Sequence, residues 1–578
     1  MNNAYFGDLH VHTKISIDSF LRKNMLTMAD AYRFAKGAAV TVAGGETVQL
    51  SRPLDFVALT DHAESFHTFD LCTEGTGPES RTPMCLAMKQ GDNSLNILFQ
   101  NGGEGGPRDP DACPGKTLDG CRAVARDVWK RIQEMANAQN QPGKFTAFIG
   151  YEYSGTLPGS GATGGHLHRN VIFRGPSVTP DARNSMDERT NADLWRYLDQ
   201  TCAAPCEVMA IPHNTNLSWG FSFALETQDR KPYETVDWQR RARFERLAEI
   251  FQIKGNSECA VGFGTSDEEC GFNTLPYPAC QPGQRLDRCY GDGSFVRNAL
   301  QNGLKQKDVL GFNPYKLGFV ASTDNHNAIP GAAAEKNYVG SIGVADGSPA
   351  LRLQNQINRN PGGLTGIWAP ENTRDALFDA MKRRETFGTS GPRIEVRLFG
   401  GWSYDAALVS GEDWIAKAYR AGAPMGGDLP APGAGQSMPH FIVWAKADPE
   451  GARLQRIQIV KGWLEGGQSR ETIYDVVCSD GLTPDAATHR CPDNGAKVDL
   501  KDCSYSRDKG AAELKTLWTD PDFGRGEPSF YYARVFENPT CRWSAYDALK
   551  LGRPIPPIPA PAQQERAWSS PIWYEPAK

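Results

Sequence analysis

Six of the ten histidines in this sequence, together with three acidic residues, occur in short motifs that could bind metal ions. These residues are His10, His12, Asp18, His62, Glu152, His168, His213, Asp324 and His326. Imidazole and carboxylate groups are the ligands that Zn, Mn and Fe accept. The set is larger than one ion needs, so the sequence predicts a cluster of two or three divalent ions. Such clusters are typical of hydrolytic enzymes.

Most of these ligand candidates lie at the ends of short apolar segments that we interpret as strands. The segments are residues 4–12, 54–61, 145–152, 168–173, 208–213, 247–254 and 317–324. Helical patterns precede several of them, at residues 29–36, 122–138 and 191–198. Strands that alternate with helices indicate a parallel β/α architecture. Functional residues of a closed β/α barrel cluster at the carboxyl ends of its strands, so this placement favours a barrel.

The spacing of His10 and His12 is itself informative. Side chains alternate between the two faces of a strand, so residues two apart point the same way. Leu9 and Val11 would then point to the opposite, apolar side. The motif therefore predicts a chelating pair of imidazoles.

Three long insertions and a change of pattern suggest the domain organisation. The insertions cover residues of about 64–120, 174–190 and 255–312, and loops of this length commonly form lids or binding walls. After residue 391 the sequence shows alternating segments separated by Gly and Pro turns, which indicates an antiparallel, β-rich and sandwich-like region. We therefore predict a metal-binding domain at residues 1–391 and a C-terminal region at 392–578.

Composition limits the possible functions. The chain has 578 residues, a mass of 63.4 kDa, a net charge of −6 and a pI near 6.0. An acidic balance argues against a surface that coats nucleic acid. No apolar run reaches the length of about 18 residues that a membrane helix needs.

The 14 cysteines indicate the compartment. Most lie in polar loops rich in Gly and Pro, and such cysteines usually form disulfides in an oxidising compartment. Reduced thiols, or zinc at the group between residues 259 and 289, are the alternatives. No signal peptide is visible after Met1, so the protein is either cytosolic or has lost a leader. The cysteines favour the second alternative, a periplasmic or secreted protein whose leader has been removed.

Taken together, the motifs resemble those of the PHP (polymerase and histidinol phosphatase) superfamily, and the whole chain resembles its DUF3604 branch. The matching pieces are residues 8–13, Asp18, residues 60–62, Glu152, and residues 165–170, 212–214 and 323–326. This resemblance implies an α/β fold, namely a distorted (β/α)7 barrel with two or three metal ions at its mouth.

The resemblance also implies which residues share an ion. One ion would take His10, His12, Glu152 and Asp324, and a second would share Glu152 and add His168 and His213. A third would take Asp18, His62 and His326. Some relatives have His at the position of Asp18, which leaves the occupancy of the third site open. His166 competes with His168, because the two are two residues apart.

The implied function is that of a metal-dependent hydrolase, most simply a phosphoesterase that uses hydroxide activated by the ions. Arg169 and Lys14 are candidates to bind a phosphate of a small-molecule substrate. Asp61 is a candidate to orient a ligand or to move the proton of the leaving group. The same ions could instead cleave an amide, a lactone or a sulfate ester, and a binding protein without activity is the third alternative.

Overall fold

The computed structural model describes residues 2–90, 113–157, 165–227, 230–281, 288–433 and 435–576. In the N-terminal part, the strands of three or more residues are β1 Asn3–Asp8, β2 Phe56–Ala58, β3 Thr146–Thr156, β4 His166–Phe173, β5 Val208–Pro212, β6 Leu247–Gln252, β7 Gly318–Ala321, β8 Leu364–Ala369 and β9 Thr386–Thr389. Seven of these, β1 to β7, coincide with the seven segments predicted from the apolar runs. Most are shorter than predicted, because the polar residues after each apolar run are not part of a regular β-ladder.

Helices lie between these strands. They are α1 Ile17–Leu21, α2 Met28–Ala35, α3 Phe66–Phe69, α4 Pro83–Gln90, α5 Leu118–Gln139, α6 Asn191–Thr201, α7 Thr235–Phe244, α8 Val296–Leu310, α9 Pro349–Asn355 and α10 Arg374–Lys382. The longest, α5, begins where the Thr117 side chain accepts from the Gly120 amide. It buries Val128, Trp129 and Ile132 against the same core as Tyr151 of β3. Helical spacing of apolar residues thus covers one face of the sheet.

The C-terminal part is β-rich, as predicted. Its strands of three or more residues are β10 Glu395–Gly401, β11 Gly422–Pro424, β12 His440–Lys446, β13 Leu454–Glu465, β14 Gln468–Cys478, β15 Glu513–Thr519, β16 Ser529–Glu537, β17 Arg566–Ser569 and β18 Ile572–Tyr574. The helices are α11 Ala406–Ser410, α12 Trp414–Ala421 and α13 Trp543–Lys550. A four-stranded antiparallel sheet in the order β11-β10-β12-β15 packs on the strands of a larger sheet.

That larger sheet has 12 strands and crosses residue 391. Its order is β14-β13-β16-β17-β9-β8-β1-β2-β3-β4-β5, with β18 beside β16. The join between the two parts is an antiparallel ladder from β9 to β17, in which Gly388 lies opposite Trp568. The division into residues 1–391 and 392–578 stays a prediction, and the two parts share this sheet.

The expected closed (β/α)7 barrel is not what the structure shows. Strands β1, β2 and β3 are parallel, but β3, β4 and β5 pair antiparallel. Residues 157–165 connect β3 to β4, and a parallel crossover needs a dozen or more residues. Strands β6 and β7 form a separate small sheet with Gly255–Asn256. Among the described residues no ladder joins β5 to β6, so the sheet stays open.

Every cysteine forms a disulfide with the next or the preceding cysteine along the chain, which confirms the prediction of disulfides. The pairs are Cys72–Cys85, Cys113–Cys121, Cys202–Cys206, Cys259–Cys270, Cys280–Cys289, Cys478–Cys491 and Cys503–Cys541. Complete pairing fits an oxidising extracellular environment.

The first insertion, at about 64–120, contains α3 and α4 as well as loops, and its residues 91–112 lie outside the described ranges. None of the described helices is both long and apolar enough to cross a membrane.

Candidate metal centre

Four buried ligand atoms face one another at the centre of the site. His10 Nε2 lies 3.1 Å from Glu152 Oε2 and 3.3 Å from Asp324 Oδ1. His12 Nε2 lies 3.3 Å and 3.2 Å from the same two oxygens. Ligands about 2.0–2.1 Å from one zinc ion in a tetrahedron are about 3.3 Å apart. Each histidine–carboxylate distance therefore matches that of two ligands on one ion, and ligand atoms of His10, His12 and Asp324 all lie within 4.8 Å of one another.

Two segments hold this group together. His10 and His12 lie just beyond the end of β1, and Asp324 follows β7. The Asp324 amide donates to the His10 carbonyl at 2.8 Å, and the His12 amide donates to the Asn325 carbonyl at 2.9 Å. Asp324 adopts a left-handed backbone with φ of 56°. Residues far apart in the sequence are thus fixed side by side through their backbones.

The other oxygen of Glu152 gathers a second group. Its Oε1 atom lies 2.7 Å from His168 Nδ1, 3.4 Å from His213 Nε2 and 3.3 Å from His62 Nδ1. Glu152 and His168 project from the antiparallel pair β3–β4, and His213 directly follows β5. Glu152 therefore stands between two groups of imidazoles, as expected of a carboxylate that bridges two ions.

The third group is looser. Asp18, in the first turn of α1, lies 2.8 Å from His326 Nε2 and 3.6 Å from His62 Nε2. Nitrogen atoms of His12, His62 and His326 also lie within 4.8 Å of one another. Arg22 donates to Asp18 at 3.0 Å, so this carboxylate already has a cationic partner.

A layer of further polar groups orients the histidines. Glu249 in β6 accepts from His10 Nδ1 at 3.0 Å, which directs the Nε2 atom of His10 towards the centre. His12 Nδ1 lies 2.9 Å from Ser16 Oγ, and Ser16 donates to Asp61 at 2.8 Å. Partners of this kind fix the tautomer and the ring orientation of histidines that bind metal ions.

Unpaired buried atoms support a fit to cations. Among the described residues, His12 Nε2, His168 Nδ1, both ring nitrogens of His213 and Asp324 Oδ1 are buried and make no well-aligned hydrogen bond, although four of these five atoms lie 2.7–3.4 Å from an oppositely polarised ligand atom. A buried polar atom without a partner costs free energy, which a bound ion would offset. The residues present therefore fit divalent ions, and neither the number nor the identity of the ions follows from this geometry.

The surroundings of Glu152 and Asp324 determine the charge of the two carboxyl groups. Burial opposes the ionisation of Glu152, but the charge of His62 and a hydrogen bond from His10 outweigh it and hold the pKa of that carboxyl well below its usual range. Burial likewise opposes ionisation of Asp324, and His10 and Lys254 keep the pKa of that carboxyl well below normal. Both side chains are thus anionic at neutral pH, as cation ligands must be.

The histidines fall into two classes. Burial lowers the pKa of His213 well below normal and that of His326 to about 4, so both rings are neutral. Burial also opposes the charge on His10, but Asp324 and Glu249 raise its pKa to about 10. A neutral imidazole is the form that binds metal, so His10 must release a proton when an ion binds.

A cavity of about 630 Å³ opens onto these groups. Its wall includes the ligand candidates Asp18, His62, Glu152, His168, Asp324 and His326. Four cationic side chains also line it, namely Arg22, Lys254, Arg288 and Arg359. Leu275, Pro276 and Tyr277, from the third insertion, form part of the outer wall. A cavity with metal ligands at one end and cations around it suits an anionic ligand.

The structure does not bring Arg169 into this cavity. Arg169 is fully buried and donates to Glu245 at 2.7 Å, because its side chain leaves β4 on the face opposite His168. Lys14 points towards Glu74, with 3.6 Å between its Nζ atom and the carboxylate. Neither residue is part of the cavity wall.

Asp61 also lies behind the ligands rather than in the cavity. It is buried and accepts from the Thr13 amide at 2.6 Å, from Thr13 Oγ1 at 2.9 Å and from Ser16. Its contact with the site is therefore indirect, through Ser16 and His12.

Several residues of the site were missed in the sequence. Lys254 follows β6 and forms an ion pair with Asp324. Glu249 interrupts the apolar pattern of β6, and an acid inside a buried strand was an available signal. Glu64 Oε2 is buried without a described hydrogen-bond partner at the cavity wall. His166, which the sequence analysis named as a competitor of His168, lines the cavity beside it.

Comparisons with known proteins place the chain in a family. No curated protein matches it. One solved structure matches this chain at 10% sequence identity, and the match covers 92% of this chain and 90% of that one. It is described as "a two-domain protein containing predicted PHP-like metal-dependent phosphoesterase" from Bacteroides vulgatus. The TM-score between the two structures is 0.29. A family model described as "Protein of unknown function (DUF3604)" matches residues 1–576. The chain therefore belongs to the DUF3604 family.

Proposed function

We propose that this protein is a metal-dependent phosphoesterase. The proposal depends on one buried group of ligand atoms. In this group each histidine nitrogen lies 3.1–3.3 Å from each carboxylate oxygen, and the atoms are His10 Nε2, His12 Nε2, Glu152 Oε2 and Asp324 Oδ1. Two of these atoms, His12 Nε2 and Asp324 Oδ1, make no well-aligned hydrogen bond with any described residue.

The proposed ligand sets are those that the family resemblance implies, and the distances between the side chains are compatible with them. His10, His12, Glu152 and Asp324 would hold one divalent ion, and Glu152, His168 and His213 a second. Asp18, His62 and His326 would hold a third. Zn, Mn and Fe all accept such ligands. When bound, these ions would acidify a water molecule and polarise an oxygen of the substrate.

The chain itself contributes orientation and charge. Glu249 fixes His10, and Ser16 and Asp61 fix His12, so the two rings present Nε2 to the centre. The buried walls around the ligands exclude bulk water, which strengthens charge interactions there.

The cationic lining favours a phosphate ester over an uncharged amide or lactone. Lys254, Arg22, Arg288 and Arg359 share the cavity with the ligand set. The cavity volume of about 630 Å³ suits a small molecule. A sulfate ester would satisfy the same charges and is the second candidate. The complete disulfide pairing supports a periplasmic or secreted site of action.

Metal analysis combined with a substrate panel tests the proposal. The purified protein is expected to contain at least one transition metal ion per chain and to release phosphate from a phosphomonoester or phosphodiester. His10→Ala and a chelator should each lower this rate by more than about a hundredfold, because even an outer partner of a ligand is commonly worth about 10–100-fold. His440→Ala is the matched control, since His440 bonds to Thr519 in the C-terminal part.

Two other results of the substrate panel would indicate a different function. Cleavage of a sulfate or carboxyl ester without phosphate release would replace the phosphoesterase with the corresponding hydrolase. Full metal loading without turnover of any ester on the panel would indicate a binding protein.

A further inference from the structure

We propose that Lys254 is the residue that binds the oxyanion of the substrate, next to the ion held by Asp324. The inference rests on the proposed function and names a residue that contacts the reacting phosphoryl group. It assigns Lys254 to a non-bridging phosphoryl oxygen, with the ammonium group as donor.

The position of Lys254 is the first argument. Its side chain lines the cavity and is 16% exposed, so the ammonium group is largely shielded from bulk water. The ammonium forms an ion pair with Asp324 Oδ2, while Asp324 Oδ1 faces His10 and His12. The cation therefore stands one carboxylate away from the first predicted ion.

The backbone of Lys254 is held from two sides. Its amide donates to Gln252 Oε1 at 2.5 Å, and its carbonyl accepts from Asn216 Nδ2 at 3.0 Å. Gln252 in turn donates to Asn214, which directly follows the ligand His213. The loops after β5 and β6 thus fix the backbone of this lysine relative to the candidate metal centre, and the ion pair with Asp324 holds its ammonium group. A donor fixed before the substrate arrives loses little free energy to reorganisation.

Charge balance is the third argument. Asp324 is the only carboxylate that Lys254 contacts in the described part of the chain. An ion between Asp324, Glu152 and the two histidines would share the negative charge of Asp324, which weakens its hold on the ammonium. The ammonium group of Lys254 could then attract a second anion in the cavity.

The cavity offers that anion further cations. Arg359 lines the same wall, donates to Gln356 through Nε at 2.8 Å, and has an Nη1 atom that is buried without a partner in the described ranges. Arg22, by contrast, is paired with Asp18. Lys254 is the cation that contacts a predicted ligand of the first ion, so it is the one placed to bind the oxygen that the ion also attracts.

Binding of inorganic phosphate to the metal-loaded protein is the direct test. Phosphate should raise the melting temperature of the wild-type protein. Lys254→Met should weaken phosphate binding by about tenfold or more, the usual worth of a hydrogen bond to a charged group. Its metal content should stay unchanged, because Lys254 is not a ligand. Lys254→Arg should restore part of the affinity.

Lys316→Met is the matched control. Lys316 is 21% exposed and paired with Asp428 and Glu575, outside the cavity wall, and its loss should leave phosphate affinity unchanged. Equal phosphate affinity of wild type and Lys254→Met would overturn the inference, and so would loss of metal in Lys254→Met. Both results are independent of turnover, so a protein that binds phosphate through Lys254 but cleaves no phosphate ester would refute only the proposed function.

Discussion

Asp61 illustrates how a residue of the right type can serve a site without touching its substrate. Both carboxylate oxygens accept hydrogen bonds from Thr13 and Ser16, and Ser16 contacts His12. Burial raises the pKa of Asp61, although His12 and the bonds from Thr13 and Ser16 act against this. Of the two predicted roles, the geometry favours orienting a ligand over proton transfer.

The Asp61→Asn variant distinguishes the two roles. The amide can keep the bonds to Thr13 and Ser16, so we expect kcat/KM to fall by less than about tenfold, with an unchanged pH profile. Asp61→Ala removes the bonds and should weaken metal binding by about 10–100-fold. Rates across pH and metal titrations provide the measurements. Loss of one limb of the pH profile in Asp61→Asn would restore the proton-transfer role.

The sequence could predict the metal-ligand candidates because rare histidines at strand ends leave a visible pattern. Lys254 left no such pattern, since a lysine after an apolar strand is ordinary on any surface. Its role depends on Asp324, which is distant in the sequence and is brought near only by the fold. Arg169 was adjacent to a ligand, but alternation along β4 turned it into the core.

At the scale of elements, the apolar runs located β1 to β7 well, because each run reflects burial of its own segment. The direction of pairing was less predictable. Parallel alternation was expected, whereas β3, β4 and β5 form antiparallel neighbours. Pairing depends on connection length and on distant partners, and the short link of residues 157–165 was the local signal against a crossover.

The disulfides give a prediction about the stability of separate elements. In the chain-entropy description, stabilisation grows with the length of the closed loop. Cys202 and Cys206 are 4 residues apart, and Cys503 and Cys541 are 38 apart. Replacing the first pair by serine should lower the free energy of unfolding by about 2 kcal/mol, and the second by about 4 kcal/mol.

Guanidinium unfolding of the two double variants measures these costs. The same order is expected for their midpoints, with the variant at Cys503 and Cys541 unfolding first. A larger loss in the variant at Cys202 and Cys206 would contradict the entropic explanation and indicate that local packing dominates.

At the scale of the whole molecule, a pair of acids links the two parts of the chain. Glu335 accepts from the Trp543 amide at 2.5 Å and from Gln563 at 2.8 Å, and Gln563 also donates to Glu565. Burial and the nearby Glu565 raise the pKa of Glu335 from 4.5 to about 8, against the attraction of Arg542. The folded protein therefore keeps a proton that the unfolded chain releases.

The sign of the pH dependence follows. Between about pH 4.5 and pH 8 the unfolded state binds fewer protons, so the contribution of Glu335 to stability declines as pH rises. Glu335→Gln should flatten this decline. Between pH 5 and pH 9, the free energy of unfolding of the variant should rise by more than about 1 kcal/mol relative to that of the wild type. Denaturant unfolding at several pH values checks it. A parallel pH dependence of the two proteins would exclude Glu335 as the cause.

The ladder from β9 to β17 also limits how this gene can be shortened. A fragment that stopped at residue 391 would leave Phe387, Gly388 and Thr389 without their partners Ser569, Trp568 and Ala567. The fragment would also expose to solvent the apolar side chains of Phe6 and Trp368, which the C-terminal strands cover. Exposed strand edges of this kind recruit other chains. Expression of residues 1–391 alone should therefore give insoluble material, and structural or biochemical work will require the intact polypeptide.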